Sequence, residues 1–453
     1  MQTNFSDEQL KDPITAEADA ILRRCVHCGL CTATCPTYLV LGDERDSPRG
    51  RIYAIKDMLE NAEPAAPGVS IHLDRCLSCF SCMTTCPSGV DYMHLIDIAR
   101  VHVEKTGTRS LKDRLLRRAL SAVLPYPARF RAALALAPIG RKVAPVLRRV
   151  GLAELAAMTE LAPPRLSRAP KFRGPGTAAT AAKRSGCVIL LAGCAQKVLR
   201  PEINDATIRL LARGGIDVIV SAGAGCCGAL TQHIGREEEA VQAAKRNIDA
   251  WSKEIERGYI DAIIINASGC GTTVKDYGHM LGNDPEYAKR AKQISALAKD
   301  VSEFIEMHDI GAPKRWSSLK IAYHAACSLQ HGQRVTHPPK ALLKKAGYSV
   351  VDVPEGHICC GSAGVYNILQ PQIAGALRDR KAKNIKSLHA DVVAAGNIGC
   401  IAQLQTALEI PVVHTVELLD WAYGGPTPSG LDILQQYSTA IPQPKRIIED
   451  IDA

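Results

Sequence analysis

The sequence predicts an α+β multidomain chain. A small, mainly helical N-terminal unit comes first, and a duplicated α/β unit built on parallel sheets follows. Three observations predict this. Two cysteine loops of identical spacing stand near the front. Strand-like and helix-like segments alternate from about residue 186 onward. Within that alternation one set of four cysteines occurs twice. At 453 residues the chain is too long for one ordinary domain, and an apolar content of 46% is enough for sizeable cores.

The front loops are "CVHCGLCTATCP" from Cys25 and "CLSCFSCMTTCP" from Cys76. "TAEADAILRRC", "RGRIYAIKDMLENA" and "DYMHLIDIARVHVEK" read as helices that carry and separate them. Thiolates at C-x2-C-x2-C-x3-C-P spacing are the ligands of paired 4Fe-4S clusters. Three cysteines on one tight loop reach three iron corners of a cubane. The fourth, pushed past the loop, ligates the other cluster. Cys25, Cys28, Cys31 and Cys86 are therefore expected to hold one cluster, and Cys76, Cys79, Cys82 and Cys35 the second. Pro36 and Pro87 end the loops. Zinc is the bland alternative, but its sites use one or two C-x2-C pairs, not a triplet with a fourth cysteine before proline. Residues 1–110 form this ferredoxin-like unit.

Residues 111–185 are expected to be a basic amphipathic helical segment and a Pro/Gly-rich linker. Between Arg114 and Ala153 stand nine basic side chains, Arg114, Arg117, Arg118, Arg129, Arg131, Arg141, Lys142, Arg148 and Arg149, and no acidic one. Pro125, Pro127, Pro138 and Pro145 predict short helices rather than one long one. A membrane surface or an acidic partner suits this charge, with an ordinary helical connection as the plain alternative. Nucleic acid does not fit, because aromatics are only 4% and no nucleic-acid-binding motif accompanies the stretch.

The α/β region divides into a first half at 186–312, a second at 313–424 and a tail at 425–453. "CVILLAG", "DVIVSAG" and "DAIIINASG" are strand-like in the first half; "LKIAYHA", "YSVVDVPEG" and "ADVVAAGN" are strand-like in the second. Cys194, Cys226, Cys227 and Cys270 make one set, and Cys327, Cys359, Cys360 and Cys400 the other, each vicinal pair sitting in "CCG". All of them follow apolar runs or precede glycine turns. In an open parallel sheet that gathers them at the carboxyl ends of strands, where such folds build sites. These eight are candidates for a further metal or redox centre, the alternative being buried structural thiols. Cys187, which opens a strand and has no counterpart, reads as a core thiol. His27, His94, His324 and His357 lie near cysteines but read as surface or supporting residues rather than ligands. "GSAGVYN" is a turn without the lysine of a phosphate loop.

Seventeen cysteines in tight groups suit metal binding in a reducing compartment better than a disulfide framework. The polar start "MQTNFSDEQLKDP" is not a secretory signal, and Arg23 and Arg24 run straight into cysteines rather than into an apolar segment. No stretch reaches the roughly 18 apolar residues of a membrane span. A cytoplasmic protein is expected.

Two "CxxCxxCxxxCP" loops followed by two "CCG" halves resemble the iron–sulfur subunits of anaerobic glycerol-3-phosphate dehydrogenase, lactate utilisation and heterodisulfide reductase. The narrowest resemblance is to the iron–sulfur subunits of bacterial glycolate oxidase. It rests on residues 25–60 and 76–92 and on "GCAQ", "AGCCGAL", "ASGCGTTVKDYG" and "YHAACSLQHGQ". It implies a subunit with two 4Fe-4S clusters in a complex whose partner subunits carry FAD and oxidise the hydroxy acid. Electrons then pass through this chain, from a peripheral position on the cytoplasmic face of the inner membrane, to a membrane quinone, and this chain holds no catalytic residue of its own. Service to lactate or glycerol-3-phosphate oxidation, or thiol–disulfide chemistry at the CCG pairs, are the alternatives. In the heterodisulfide reductase relatives each half ends in C-x-x-C, giving five thiols. Here Ala267 and Asn397 stand three residues before Cys270 and Cys400, which leaves four per half. A four-ligand cluster, one shared site or none are the alternatives that remain.

Overall fold

The computed structural model describes residues 1–62, 64–106, 109–149, 151, 153–163 and 184–431, together with the backbone of 176–178 and 439–440. The expected linker at 162–186 and the tail beyond 424 lie largely outside the described residues.

The front unit is helical, as its periodicity predicts. Asp12 caps the helix Pro13–Arg24 by accepting from the Thr15 amide at 2.9 Å, with Pro13 in the first turn, where it has no amide to lose. Ser47 caps Pro48–Glu60 in the same way through the Gly50 amide. These helices and Tyr92–Thr106 close on a core that includes Leu22, Ile55, Leu95 and Ile96, all fully buried and each worth about 2 kcal/mol. Three short helices, Pro36–Leu41, Pro67–Asp74 and Ser81–Thr85, also belong to the unit.

The second region contains two sheets. The first comprises β1 (Gly176–Ala178), β2 (Gly186–Leu190), β3 (Ile216–Val220), β4 (Ala262–Ile265) and β5 (Ala298–Asp300), ordered β1-β3-β2-β4-β5. Only β1 runs antiparallel to its neighbour. A two-stranded ribbon pairs β6 (Arg315–Trp316) with β11 (Thr439–Ala440), and a second sheet comprises β7 (Lys320–His324), β8 (Ser349–Asp352), β9 (Val392–Ala395) and β10 (Val412–His414). Its order is β10-β9-β7-β8 and every pair is parallel. From β2 in the first sheet and from β7 in the second, the chain moves outward in one direction and then in the other, so a crevice opens at the carboxyl ends of β2/β4 and β7/β9.

Strand alternation divides the cores. Val188 and Leu190 of β2 face a layer shared with Ile321, Val393 and Leu404 of the second half. Cys187, Ile189 and Leu191 point the other way, against Trp251 and Tyr277. Cys187 is thus a core thiol. Buried Asp420, on the helix Thr415–Ala422, is held by Arg209 and Arg213 of the helix Glu202–Arg213, which ties the halves together.

The basic segment departs from expectation in two places. Helices run over Leu111–Val123, Pro127–Ala135, Ala137–Arg149 and Ala153–Leu161, and Pro145 lies inside the third without ending it. Pro145 is exposed, so water can serve the carbonyl that loses its donor. Arg117 is buried, not surface-facing, because Asp74 and Asp113 each accept from it at 2.9 Å.

Candidate metal centres

The two front loops have one backbone design. His27 and Ser78, and likewise Gly29 and Phe80, occupy corresponding positions and all have positive φ. This winding turns successive amides inward, the arrangement that favours anionic sulfur. Cys25, Cys28, Cys31 and Cys86 line a single pocket that His27 and Pro87 also border and that Cys82 of the second loop reaches. Cys28 is exposed there, the exposed Val26 and Leu30 border the same pocket, and the exposed Tyr53 ring lies 6.2 Å from that of His27.

The other four front thiols lie deeper: Cys35, Cys76, Cys79 and Cys82 are all buried. Donors surround them that the cysteine spacing does not announce. Arg51, 1% exposed, is held by Asp46, Thr37 and the His72 carbonyl, and reaches the Cys35 sulfur at 3.9 Å. The Ser78 amide lies 3.5 Å and the Tyr92 hydroxyl 3.9 Å from the Cys76 sulfur. Arg100 fixes the second loop through the Ser78 hydroxyl and the Cys76 carbonyl, both at 2.6 Å. Hydrogen bonds of this kind to ligating sulfur tune potential. Their only sequence signal was an arginine inside an otherwise apolar helical face.

Burial and neighbouring thiols push Cys31 up to about 11, and lift Cys79 and Cys82 well above the usual thiol range. So many buried sulfurs cannot ionise together without a positive charge among them. No cysteine is in a disulfide. The donor set fits iron–sulfur clusters, whose irons supply that charge and whose chemistry is single-electron transfer.

The CCG cysteines converge as the strand-end argument predicts. Cys194 follows β2, Cys226 and Cys227 follow β3, and Cys270 sits on the helix Ser268–Lys275 after β4. Cys327, Cys359, Cys360 and Cys400 repeat this around β7, β8 and β9. The Cys194 and Cys226 sulfurs are 3.6 Å apart, and those of Cys327 and Cys359 are 3.7 Å apart. The glycine after each pair is required by the geometry. Gly228 and Gly361 have φ of 93° and 89°, and a Cβ on either would meet a helix carbonyl, that of Ala240 or Ala374.

The histidines separate by role. His27 borders the first pocket, and His357 is exposed. His94 has its partners among carboxylates rather than thiols. It lies between domains, bonded to Asp91 at 2.7 Å and to Asp276 at 3.0 Å. Burial opposes its charge, but these carboxylates prevail and raise it to about 10. His324 lies among the second-half thiols, with a ring nitrogen and the sulfurs of Cys360 and Cys400 all within 4.8 Å of one another.

The centres are not isolated from one another. Leu77 and Cys79 of the second loop share an apolar cluster with Ile358, Cys359 and Tyr366, and partly buried Cys327 packs against it. The Tyr366 hydroxyl donates to the Arg75 carbonyl at 3.0 Å, and Thr84 pairs with His331 at 2.7 Å. The inner front thiols thus adjoin the second CCG set directly.

Comparison with known proteins agrees with this arrangement. Residues 21–90 match the family profile of the 4Fe-4S dicluster domain, and residues 188–275 and 321–405 each match that of the cysteine-rich domain. The chain is 44% identical to the glycolate oxidase iron–sulfur subunit of Escherichia coli K12 over 93% of its length and 99% of that protein. It is 29% identical to a probable glycolate oxidase iron–sulfur subunit of Bacillus subtilis 168, over 94% of this chain and 100% of the relative. A fumarate reductase (CoM/CoB) subunit of Methanothermobacter marburgensis is 25% identical over 89% of this chain and 72% of its own length. Among solved structures, a hypothetical protein from Helicobacter pylori shares the fold with a TM-score of 0.50 at 10% identity, over 92% of this chain and 73% of that one. The chain is a subunit of an oxidoreductase, with two 4Fe-4S clusters in its front unit and a further cluster in the cysteine-rich region.

Proposed function

The chain belongs to the family of glycolate oxidase iron–sulfur subunits, and from that premise we propose that it relays electrons in a complex that oxidises glycolate to glyoxylate. The oxidation itself takes place on a partner subunit, where two electrons and two protons pass from the hydroxy acid to FAD. This chain then removes the electrons one at a time. Cys25, Cys28, Cys31 and Cys86 hold the outer cluster, and Cys76, Cys79, Cys82 and Cys35 hold the inner one.

One observation carries the reading: Cys79 and Cys359 sit in the same apolar cluster, so the inner front site abuts the second CCG site. The exposed Val26 and Leu30 at the Cys28 pocket, with the exposed Tyr53 ring near His27, give a flavoprotein partner a docking face at the outer site. The path therefore runs from that face inward, through Cys79 to Cys359, and on to a membrane quinone.

The helix Ala137–Arg149 supports a membrane contact. Ile139, Val143 and Val146 fall on one side of it, continued by Leu136 in the turn before it, and all are exposed, while Arg141, Lys142, Arg148 and Arg149 flank them. Among the described residues no helix is long and apolar enough to cross a membrane. An anionic surface favours such a segment by about 1 kcal/mol per basic residue near it. Glycolate is preferred to lactate because the lactate-utilisation relatives match only 51% of this chain.

The test is anaerobic copurification with the flavin-bearing subunits, followed by glycolate addition. Appearance of the EPR signals of reduced clusters on glycolate addition to the complex, and none in the isolated chain, is the expected result. Glyoxylate formation by the isolated chain would overturn the reading.

A further inference from the structure

The two CCG halves superpose in chain order, yet they differ at the position three residues before the leading cysteine. In the first half that residue is Leu191, an ordinary core side chain packed with Ile189 and Trp251. In the second half it is His324. Its exposure is 2%, and neither ring nitrogen meets a hydrogen-bond partner. An unpaired buried polar group costs about 1–3 kcal/mol, and imidazole here presents two such groups where its counterpart presents none. The same imidazole has a nitrogen within 4.8 Å of the Cys360 and Cys400 sulfurs, all three residues being buried. The position that would supply a fifth thiol is Asn397, whose amide donates to the Cys400 sulfur at 3.6 Å, so that residue supports a ligand rather than being one. A histidine with idle nitrogens, aimed at thiols that lack a fifth donor, is accounted for by one arrangement.

We propose that His324 is a metal ligand, and that the second half binds an iron–sulfur cluster through four thiolates and one imidazole while the first half offers thiolates alone. The inference rests on the reading that the cysteine-rich halves hold metal. Imidazole is neutral where a thiolate is anionic, and exchanging thiolate for imidazole at an iron raises reduction potential. The second half is consequently the more oxidising of the two. This is also the half that adjoins Cys79, so an electron arriving at Cys359 is drawn there.

Pulsed EPR on the full chain, purified anaerobically, tests this. The expected result is a signal beyond the two front clusters that carries the 14N coupling of a coordinated imidazole. His324→Cys keeps that cluster's iron, loses the nitrogen coupling and shifts the midpoint to lower potential. His324→Leu, which copies the first half, loses the cluster's iron while both front-cluster signals persist as the control for folding. A further cluster without nitrogen coupling, unchanged in His324→Leu, would overturn the ligand assignment and leave metal in the CCG region standing. Iron confined to the front clusters would overturn both, with the electron-relay role of the front unit untouched.

Discussion

In the first CCG half Asn247 sits behind the vicinal pair, accepting from the Gly225 amide and donating to the Cys226 carbonyl at 3.0 Å. The second half has Lys381 there, at the equivalent step beyond Ala374. It is 1% exposed and donates to the Glu355 carbonyl at 2.6 Å. Burial draws this lysine below its usual range, while Cys360 and Cys359 beside it hold it up. With His324 in place of Leu191, the duplicate has gained a cation and an imidazole on an unchanged chain path. The surroundings differ as well. The second half meets the front unit through an apolar cluster at Cys79 and Cys359. The first meets it through charge, by His94 with Asp276 and His279 with Glu17. The two halves share the scaffold that gathers thiols and differ in the side chains around it, and the second is the one that adjoins Cys79.

The sharpest way to break this contrast is to remove one sulfur from each half. Cys359→Ser is expected to lower glycolate-dependent quinone reduction by the complex at least about 100-fold, with the front-cluster EPR retained. Cys226→Ser, whose sulfur lies outside the cluster around Cys79, is expected to cost far less. Equal losses would remove the distinction between the halves.

Next in size come the paired glycines. Gly361→Ala brings a Cβ to 2.4 Å from the Ala374 carbonyl oxygen, against 2.9 Å from that of Ala240 for Gly228→Ala. Both residues have positive φ, so each variant is destabilised. Chemical denaturation is expected to give about 3 kcal/mol for the second half and about 2 for the first.

The charged docking of the first half has a pH signature. His94 is raised from 6.5 to about 10 by Asp276 and Asp91 against the effect of burial. Its contribution is therefore complete below about pH 6.5 and is lost as pH rises through about 10. Hydrogen exchange in the helices Ser268–Lys275 and Tyr92–Thr106 should accelerate over that interval, while the Cys79–Cys359 contact stays protected. His94→Gln is expected to cost about 2 kcal/mol at neutral pH and to flatten the dependence. The smallest effect is electrostatic. Lys381→Asn should lower the midpoint of the second-half centre, because a nearby cation favours the more negative reduced state.

Much of this was legible in the sequence. The loops from Cys25 and Cys76 and the two CCG sets declare themselves through spacing, and the βα alternation places the CCG sets at strand ends. Other features were not. β5 and β10 are only three residues each, and Val412–His414 runs straight into a helix, so neither gives a periodic signal. Lys381 lies in "RDRKAKN", which reads as a solvated face until packing against the second-half thiols buries it. His324 reads like any histidine beside a strand. Only alignment with Leu191 marks it, and only three-dimensional packing strips its nitrogens of partners. The Cys79–Cys359 contact joins residues far apart along the chain, which local pattern cannot reveal.

The most direct test of the relay is iron and sulfide analysis, with EPR, of the full chain purified without oxygen. The account predicts a brown protein with more than about eight irons per chain, and with two interacting front-cluster signals on reduction. A colourless protein that binds zinc at Cys25, Cys28, Cys31 and Cys86 would contradict it.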